Sequence, residues 1–361
     1  MDGTTVESGP AAMPLPAGDV GWTVLALDNP RWVAFVASRP EATPFHHPAW
    51  GSLLAEAYGF RAFAVAVCGS DGGVVAGAPF LEARDVLRRR SWISLPFSDE
   101  CVPLAADGAQ QAELVSVLAG AGLHATSVKI RSTVEAENWC KRTVGVLHVL
   151  ELDPDPERVR QGFSRSQVVR NIVRGEREGI EVRAAASRED LDVFYDLHVR
   201  TRSRQGVPVQ PRRFFDLIWA RMIEPGLGEI LLAYHGETAL AGAFFLTWNG
   251  TTIYKFGASD PQGWPLRPNH PLFWAAIRDA CHRGDRCFDF GRSDLANTGL
   301  RAFKSSWGAV EQPLVYSALG PGVPGGNVRL AERLLEAVIR AGPTWLCRGI
   351  GEVVYRYAAL R

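Results

Sequence analysis

Only four lysines, Lys129, Lys141, Lys255 and Lys304, stand among 39 cationic residues, so an amine nucleophile or an ammonium donor has few places to sit. Carboxylates that could take or hold a proton occur in two short polar stretches. Ser98, Asp99 and Glu100 follow Pro96, and Asp289 precedes Gly291 and Arg292, with Ser98, Asp289 and Arg292 as candidate substrate contacts. A carboxylate at a strand end followed by a glycine turn suits general-base or amine-binding work, and it equally suits a turn held by a local ion pair. Tyr254 and Lys255 alternate along a strand, so only one of them faces a given cleft. Tyr254 is taken as that residue and Lys255 as a solvated charge.

Arginine supplies the candidate anion sites. Arg170, Arg174 and Arg177 share a helical face by their spacing and form a basic stripe that can meet phosphates, although Glu176 and Glu178 lie close by. From His198 to Arg213 there are five arginines and no acid. Within that run Arg202 and Gln205 are candidate substrate contacts, while Arg204 sits two residues from Arg202 and turns away from the same ligand. His46, His47 and His270 stand beside prolines at helix starts, where capping or packing explains them.

The elements that carry these residues read as α/β in two parts. A helix over 50–58 precedes a hairpin, Phe63–Val67 and Val74–Phe80, turned by Gly69–Gly73. Strands over 92–95, 127–131 and 146–152 and a helix over 110–118 complete the first half. Asp153-Pro-Asp-Pro-Glu157 ends a strand and opens a helix, which suggests a boundary near 153. Helices over 158–178, 189–205 and 211–222 follow. Strands over 229–234, 240–248 and 252–257 come next, joined by His235–Thr238 and by Asn249-Gly250, then a helix Pro271–Arg283 closed by Gly284 and a strand Cys287–Phe290. An amphipathic segment, Val328–Ala341, carries Leu330, Leu334, Leu335 and Val338 on one face and arginines on the other.

This second half resembles the acetyltransferase layout known as GNAT. The strings Tyr254–Ser259, Asn269–Trp274, Phe288–Arg292 and Gly299–Ser305, with Pro44–Trp50, Leu95–Asp99, Arg170–Arg174 and Thr201–Gly206 before them, resemble the Fem-type aminoacyltransferases over about residues 44–318. The resemblance implies an α/β (α+β) fold of two tandem GNAT-like domains, each a mixed, mostly antiparallel sheet flanked by helices. The implied division is a disordered 1–20, domains over 21–153 and 154–320, and a helical extension over 321–361. Members of that family join an amino acid from aminoacyl-tRNA to an amine. The resemblance implies a part for Lys304 in acyl transfer; Lys304 or backbone N–H groups are the candidates to support the tetrahedral oxyanion, and Asp99, Tyr254 or the substrate itself to take the proton.

Two other classes stay open, an acyl-CoA-dependent N-acyltransferase and a noncatalytic binding module. An acetyl-CoA enzyme of this fold holds pyrophosphate with backbone N–H groups before the crossover helix. Here 263–271 contains three prolines, which have no N–H, so coenzyme A is disfavoured. No GxSxG, HExxH or Walker pattern is present.

Composition agrees with a packed globular enzyme, 47% hydrophobic and 22% charged with zero formal net charge. That balance gives no general attraction to DNA. The six cysteines have no metal-type spacing, so no metal and no disulfide framework is expected. No bound cofactor is expected either, only a co-substrate, aminoacyl-tRNA or alternatively acyl-CoA. The apolar runs are too short to span a bilayer. The expectation is a cytoplasmic monomer, with at most peripheral membrane contact through the arginine-rich 328–341 segment.

Overall fold

The computed structural model describes residues 21–84, 89–121, 127–320 and 328–358. The first half runs β1 (Trp22–Leu25), α1 (Pro30–Ala37), α2 (Pro48–Tyr58), β2 (Arg61–Cys68), β3 (Val74–Arg84), β4 (Arg90–Ile93), β5 (Leu104–Ala105), α3 (Gly108–Ala121), β6 (Ser127–Ile130) and β7 (Cys140–Glu151). The second half begins with α4 (Pro156–Gln161) and a π-helical turn over 165–169 that runs into α5 (Arg170–Arg177). It continues through β8 (Ile180–Ala184), α6 (Arg188–Gln205), α7 (Arg212–Ile218), β9 (Gly228–His235), β10 (Thr238–Trp248) and β11 (Thr251–Ser259). After α8 (Asn269–Arg283), β12 (Cys287–Asp289), α9 (Thr298–Ser305) and β13 (Val310–Leu319), helices α10 (Val328–Ala341) and α11 (Thr344–Ala358) end the described chain. The fold is mixed α/β with a mostly antiparallel sheet flanked by helices, as the sequence suggests. The expected disordered segment 1–20 lies outside the described residues.

Local chemistry explains the element ends that matter for the site. Asp155 caps α4 with Pro156 at its first position, so the chain leaves β7 sharply. Ser187 and Asp190 form a reciprocal capping box at the start of α6, and Gly206 closes that helix in the left-handed conformation. Asn249 and Gly250, at φ 52° and 70°, make the tight hairpin between β10 and β11. The single helix expected over 158–178 is instead broken at Gly162–Ser164, where Ser164 caps the π turn.

All strands belong to one sheet in the order β1-β2-β3-β4-β6-β13-β7-β12-β11-β10-β9-β8, with β5 paired to β3. Two strands are exchanged between the halves. β7 pairs antiparallel with β12 of the second half, and β13 pairs antiparallel with β6 of the first, the two lying side by side in the middle. Each half therefore ends its sheet with the other half's last strand. The sequence reading has no strand at 310–319 or at 180–184, and both exist.

Each half also holds one short parallel pair of the same length. In the first, Ser91, Trp92 and Ile93 face Ser127, Val128 and Lys129. In the second, Thr251, Thr252 and Ile253 face Cys287, Phe288 and Asp289. The largest hydrophobic cluster crosses the halves, with Phe45, Trp50 and Tyr58 packed together with Phe194, Phe214 and Phe244. Burial of that many rings against one another fixes the halves relative to each other.

Candidate active site between the halves

Where the β11–β12 pairing stops at Ile253 and Asp289, the two strands separate and polar groups gather. β11 carries an irregularity opposite Phe244 and Phe245 that leaves Lys255 without a register partner on β10. Its Nζ reaches the Asp99 Oδ1 at 3.4 Å, with only 7% of the Lys255 side chain exposed, and lies 5.1 Å from the Phe45 ring. The expectation that Lys255 is a solvated charge is thus corrected. Tyr254, on the opposite face of the strand, packs against Phe245 and Phe273. Burial pushes its hydroxyl up to about 12, which makes it a poor base near neutral pH.

Asp289 is next in this cluster. Its Oδ1 accepts the Gly291 N–H at 2.7 Å, and Gly291 takes φ 71°, a conformation that suits glycine. A Cβ at Gly291 would lie 3.1 Å from the Asp99 Oδ2, so the two carboxylates are drawn together across this turn. Burial, reinforced by the neighbouring Asp99 charge, pushes the Asp289 carboxyl up to about 7.

Lys304 on α9 is 2% exposed and donates from Nζ to the Gly291 carbonyl at 2.7 Å and the Arg292 carbonyl at 3.0 Å. It is therefore no exposed loop cation. Two of its three N–H bonds hold the turn that orients Asp289, and the third has no partner among the described residues. Burial pulls its ammonium down to about 8, against the opposing attraction of Asp99 and Asp289.

The first half closes the other side. Asp99 sits on a loop whose Leu95 and Phe97 both take positive φ, 45° and 68°, a strained geometry for such residues. The loop is tied down by the Trp50 indole donating to the Ser98 hydroxyl at 2.9 Å and by Arg131 donating to the Ser98 carbonyl at 2.9 Å. Tyr316 on the exchanged strand β13 donates to the Asp99 carbonyl at 2.7 Å and accepts from Arg131 at 2.8 Å. Ser98 is thus engaged in holding the loop, a correction to its expected place against substrate.

The other expected contacts distribute differently. Arg202 faces the C-terminal extension, donating to the Tyr355 hydroxyl at 3.1 Å. Gln205 is exposed at the end of α6, and its carbonyl accepts from Arg340 on α10 at 3.3 Å. Neither belongs to the Asp99, Lys255, Asp289 and Lys304 cluster, because α10 and α11 fold over that end of α6. Arg292 contributes its carbonyl to Lys304 and pairs its side chain with Asp294 at 2.7 Å. Arg170, Arg174 and Arg177 are all exposed, with Arg177 paired to Glu178. His47 caps α2, His46 is buried between Thr43 and Val102, and His270 packs on Phe303 and Trp307, in line with their structural reading. Lys255, Arg131 and Tyr316 are the cluster members that sequence reasoning missed, and only the scarcity of lysine pointed toward the first.

The segment 262–271, which leads into and opens α8 where an acetyl-CoA enzyme of this layout presents N–H groups, offers few of them. Pro265, Pro268 and Pro271 have no N–H. The N–H groups of Gln262, Gly263, Arg267 and His270 are all spent on local acceptors.

Residues 162–305 match the profile described as the acetyltransferase (GNAT) domain, so the second half carries an acyltransferase domain of that type. The crystal structure of FemX is similar over 82% of this chain and 96% of its own, at 18% identity and a TM-score of 0.67. The C-terminal domain of a putative lysylphosphatidylglycerol synthetase from Agrobacterium fabrum is similar over 86% of this chain and 95% of its own, at 14% identity and a TM-score of 0.55. L-PGS from Bacillus licheniformis is similar over 87% and 97%, at 15% identity and a TM-score of 0.52. At these identities the shared property is the fold. No curated protein matches the sequence.

Proposed function

We propose that this protein transfers an aminoacyl group from the 3′ ester of a tRNA to an amine bound between the halves. The observation that carries the reading is the meeting of Asp99 from the first half with Lys255, Asp289 and Lys304 from the second, where β11 and β12 part. The proline-filled turn before α8, which is ill suited to pyrophosphate, favours an RNA ester over a coenzyme A thioester as donor. The resemblance to Fem-type enzymes and the likeness to FemX and the lysylphosphatidylglycerol synthetases agree with aminoacyl transfer.

An aminoacyl ester is already activated, so positioning and proton handling suffice and no covalent enzyme intermediate is required. Asp289, with a pKa close to neutrality, is the base that accepts a proton from the attacking amine. As the N–C bond forms, the carbonyl oxygen gains charge, and the free N–H of the Lys304 ammonium stabilises it. The C–O bond to the ribose then breaks, and the departing oxygen takes the proton back from Asp289. Asp99, oriented by Lys255, Tyr316 and the strained loop, holds the acceptor as its ammonium, which gives one proton to solvent to become the free amine before Asp289 takes the second on attack.

The test is incubation of the purified chain with a pool of labelled aminoacyl-tRNAs and candidate amines, with and without ribonuclease, beside a reaction given acetyl-CoA. Ribonuclease-sensitive amide formation is expected. Transfer from acetyl-CoA alone would keep the fold and replace the donor. Absence of transfer from either, with retained amine binding, would favour a binding module.

A further inference from the structure

The proline-filled turn has a property that its poor fit to pyrophosphate does not explain. Trp264, at its centre, is 48% exposed although it is a large apolar side chain. Its indole N–H donates to the Ser259 hydroxyl at 3.0 Å, and the Arg204 guanidinium lies 5.3 Å from its ring centroid. Arg204 is itself anchored on the Ser259 carbonyl at 3.2 Å. A ring held by its edge and backed on one face by a cation is a rigid platform, and its exposure is unexplained by packing.

Three arginines lie on this turn and on the helix packed against it. Arg267, three residues on, is exposed and held at φ 61°. α5 packs directly on this turn, with Gly175 so close that a Cβ would lie 2.6 Å from Pro271 and 3.4 Å from the Leu266 carbonyl. Asn171 and His270 meet across the same contact at 3.5 Å. Arg170 and Arg174 on α5, like Arg267, make no ion pair among the described residues, whereas Arg177 and Arg200 pair with Glu178 and Asp260.

We infer that Trp264 is a stacking platform for an unpaired base at the 3′ end of an RNA, and that Arg267, Arg174 and Arg170 receive the phosphates leading away from it. This inference rests on the tRNA reading above and names the part of the donor that is gripped. An aromatic face beside unpaired guanidiniums is the combination that binds single-stranded nucleic acid, since every base offers a π face and every linkage a charge. Ser259, which anchors Trp264, ends the strand that carries Lys255 four residues earlier. At ~3.3 Å per residue the two are about 13 Å apart, within the reach of a terminal nucleoside and its ester arm.

The experiment is a fluorescence-anisotropy titration of the full chain with a 5′-labelled tRNA acceptor minihelix carrying the unpaired 3′ nucleotides, and with the same hairpin made blunt. Trp264→Ala is expected to weaken binding of the unpaired-end RNA about tenfold, the size of one base–aromatic stack, and Trp264→Phe to recover most of it. Binding of the blunt hairpin is expected to be the same for wild type and Trp264→Ala. Arg174→Gln is expected to lower the slope of log affinity against log salt by about one for both RNAs. Equal affinity of wild type and Trp264→Ala for the unpaired-end RNA overturns the platform and leaves the donor reading standing. Failure of wild type to bind either RNA overturns both. Loss by Trp264→Ala of binding to phosphatidylglycerol vesicles, with RNA binding unchanged, assigns the surface to a membrane and overturns the inference. Unchanged thermal melting of the variants excludes misfolding as the cause.

Discussion

The two parallel junctions, β4 with β6 and β11 with β12, are built alike and furnished differently. Each pairs three residues and then opens, and the last pair is Ile93 with Lys129 in the first half and Ile253 with Asp289 in the second. Beyond that point β11 continues as an irregular strand that delivers Lys255, and a glycine turn under Lys304 follows Asp289. In the first half the chain turns at once into the strained 95–97 loop and brings two neighbouring carboxylates, Asp99 and Glu100, with Arg131 behind the loop. The same architecture thus gives one junction that supplies Lys255, Asp289 and Lys304 to the cluster and another that lends it Asp99 from a loop. Duplication of a fold does not duplicate its chemistry, because the side chains just past the last paired residue decide it.

If the second junction performs the proton transfer, Asp289→Asn has the largest effect, about a thousandfold in kcat/KM. Its pH profile loses the acid limb. In the wild type, activity rises as Asp289 deprotonates through about 7 and falls as Lys304 loses its proton through about 8, giving a narrow bell. Lys304→Ala is expected to cost about a hundredfold in kcat and to remove the alkaline limb, checked by the same profile. On the other side, Asp99→Asn is expected to raise KM for the amine about tenfold with a smaller change in kcat. A larger loss for Asp99→Asn than for Asp289→Asn would reverse the assignment of the two junctions. Smallest is Arg267→Gly, which relieves the left-handed backbone at residue 267 and is expected to stabilise the fold by about 1 kcal/mol, read as a rise in Tm.

Most of the second half was legible because its signals are local. Asn249-Gly250 dictates a hairpin, Gly284 ends a helix, and Asp155-Pro156 starts one. β13 was not, for a physical reason. Pro313 stands in the middle of it, and a proline ordinarily argues against a central strand, yet it is accommodated next to the irregularity at Leu314 and Val315. The choice between Tyr254 and Lys255 was also beyond the sequence. Alternation says that they oppose each other, but which face meets the cleft depends on a bulge and on a carboxylate 156 residues away. The same holds for Arg202, whose spacing marks it as separate from Arg204 but whose covering by α11 is a tertiary fact.

The exchange of β7 and β13 has a consequence for how the molecule is born. During synthesis from the N-terminus, β6 has no partner on its open side until residue 319 has left the ribosome, and β7 cannot settle until β12 exists. Neither half is a finished folding unit, so the nascent chain must carry an unsatisfied strand edge through most of translation. The joining pairs span well over a hundred residues in sequence, and closing loops of that length makes the final step slow and the two halves lock cooperatively. A protein made in this way is cut in two, or circularly permuted at residue 153, only by turning one folding problem into an assembly problem.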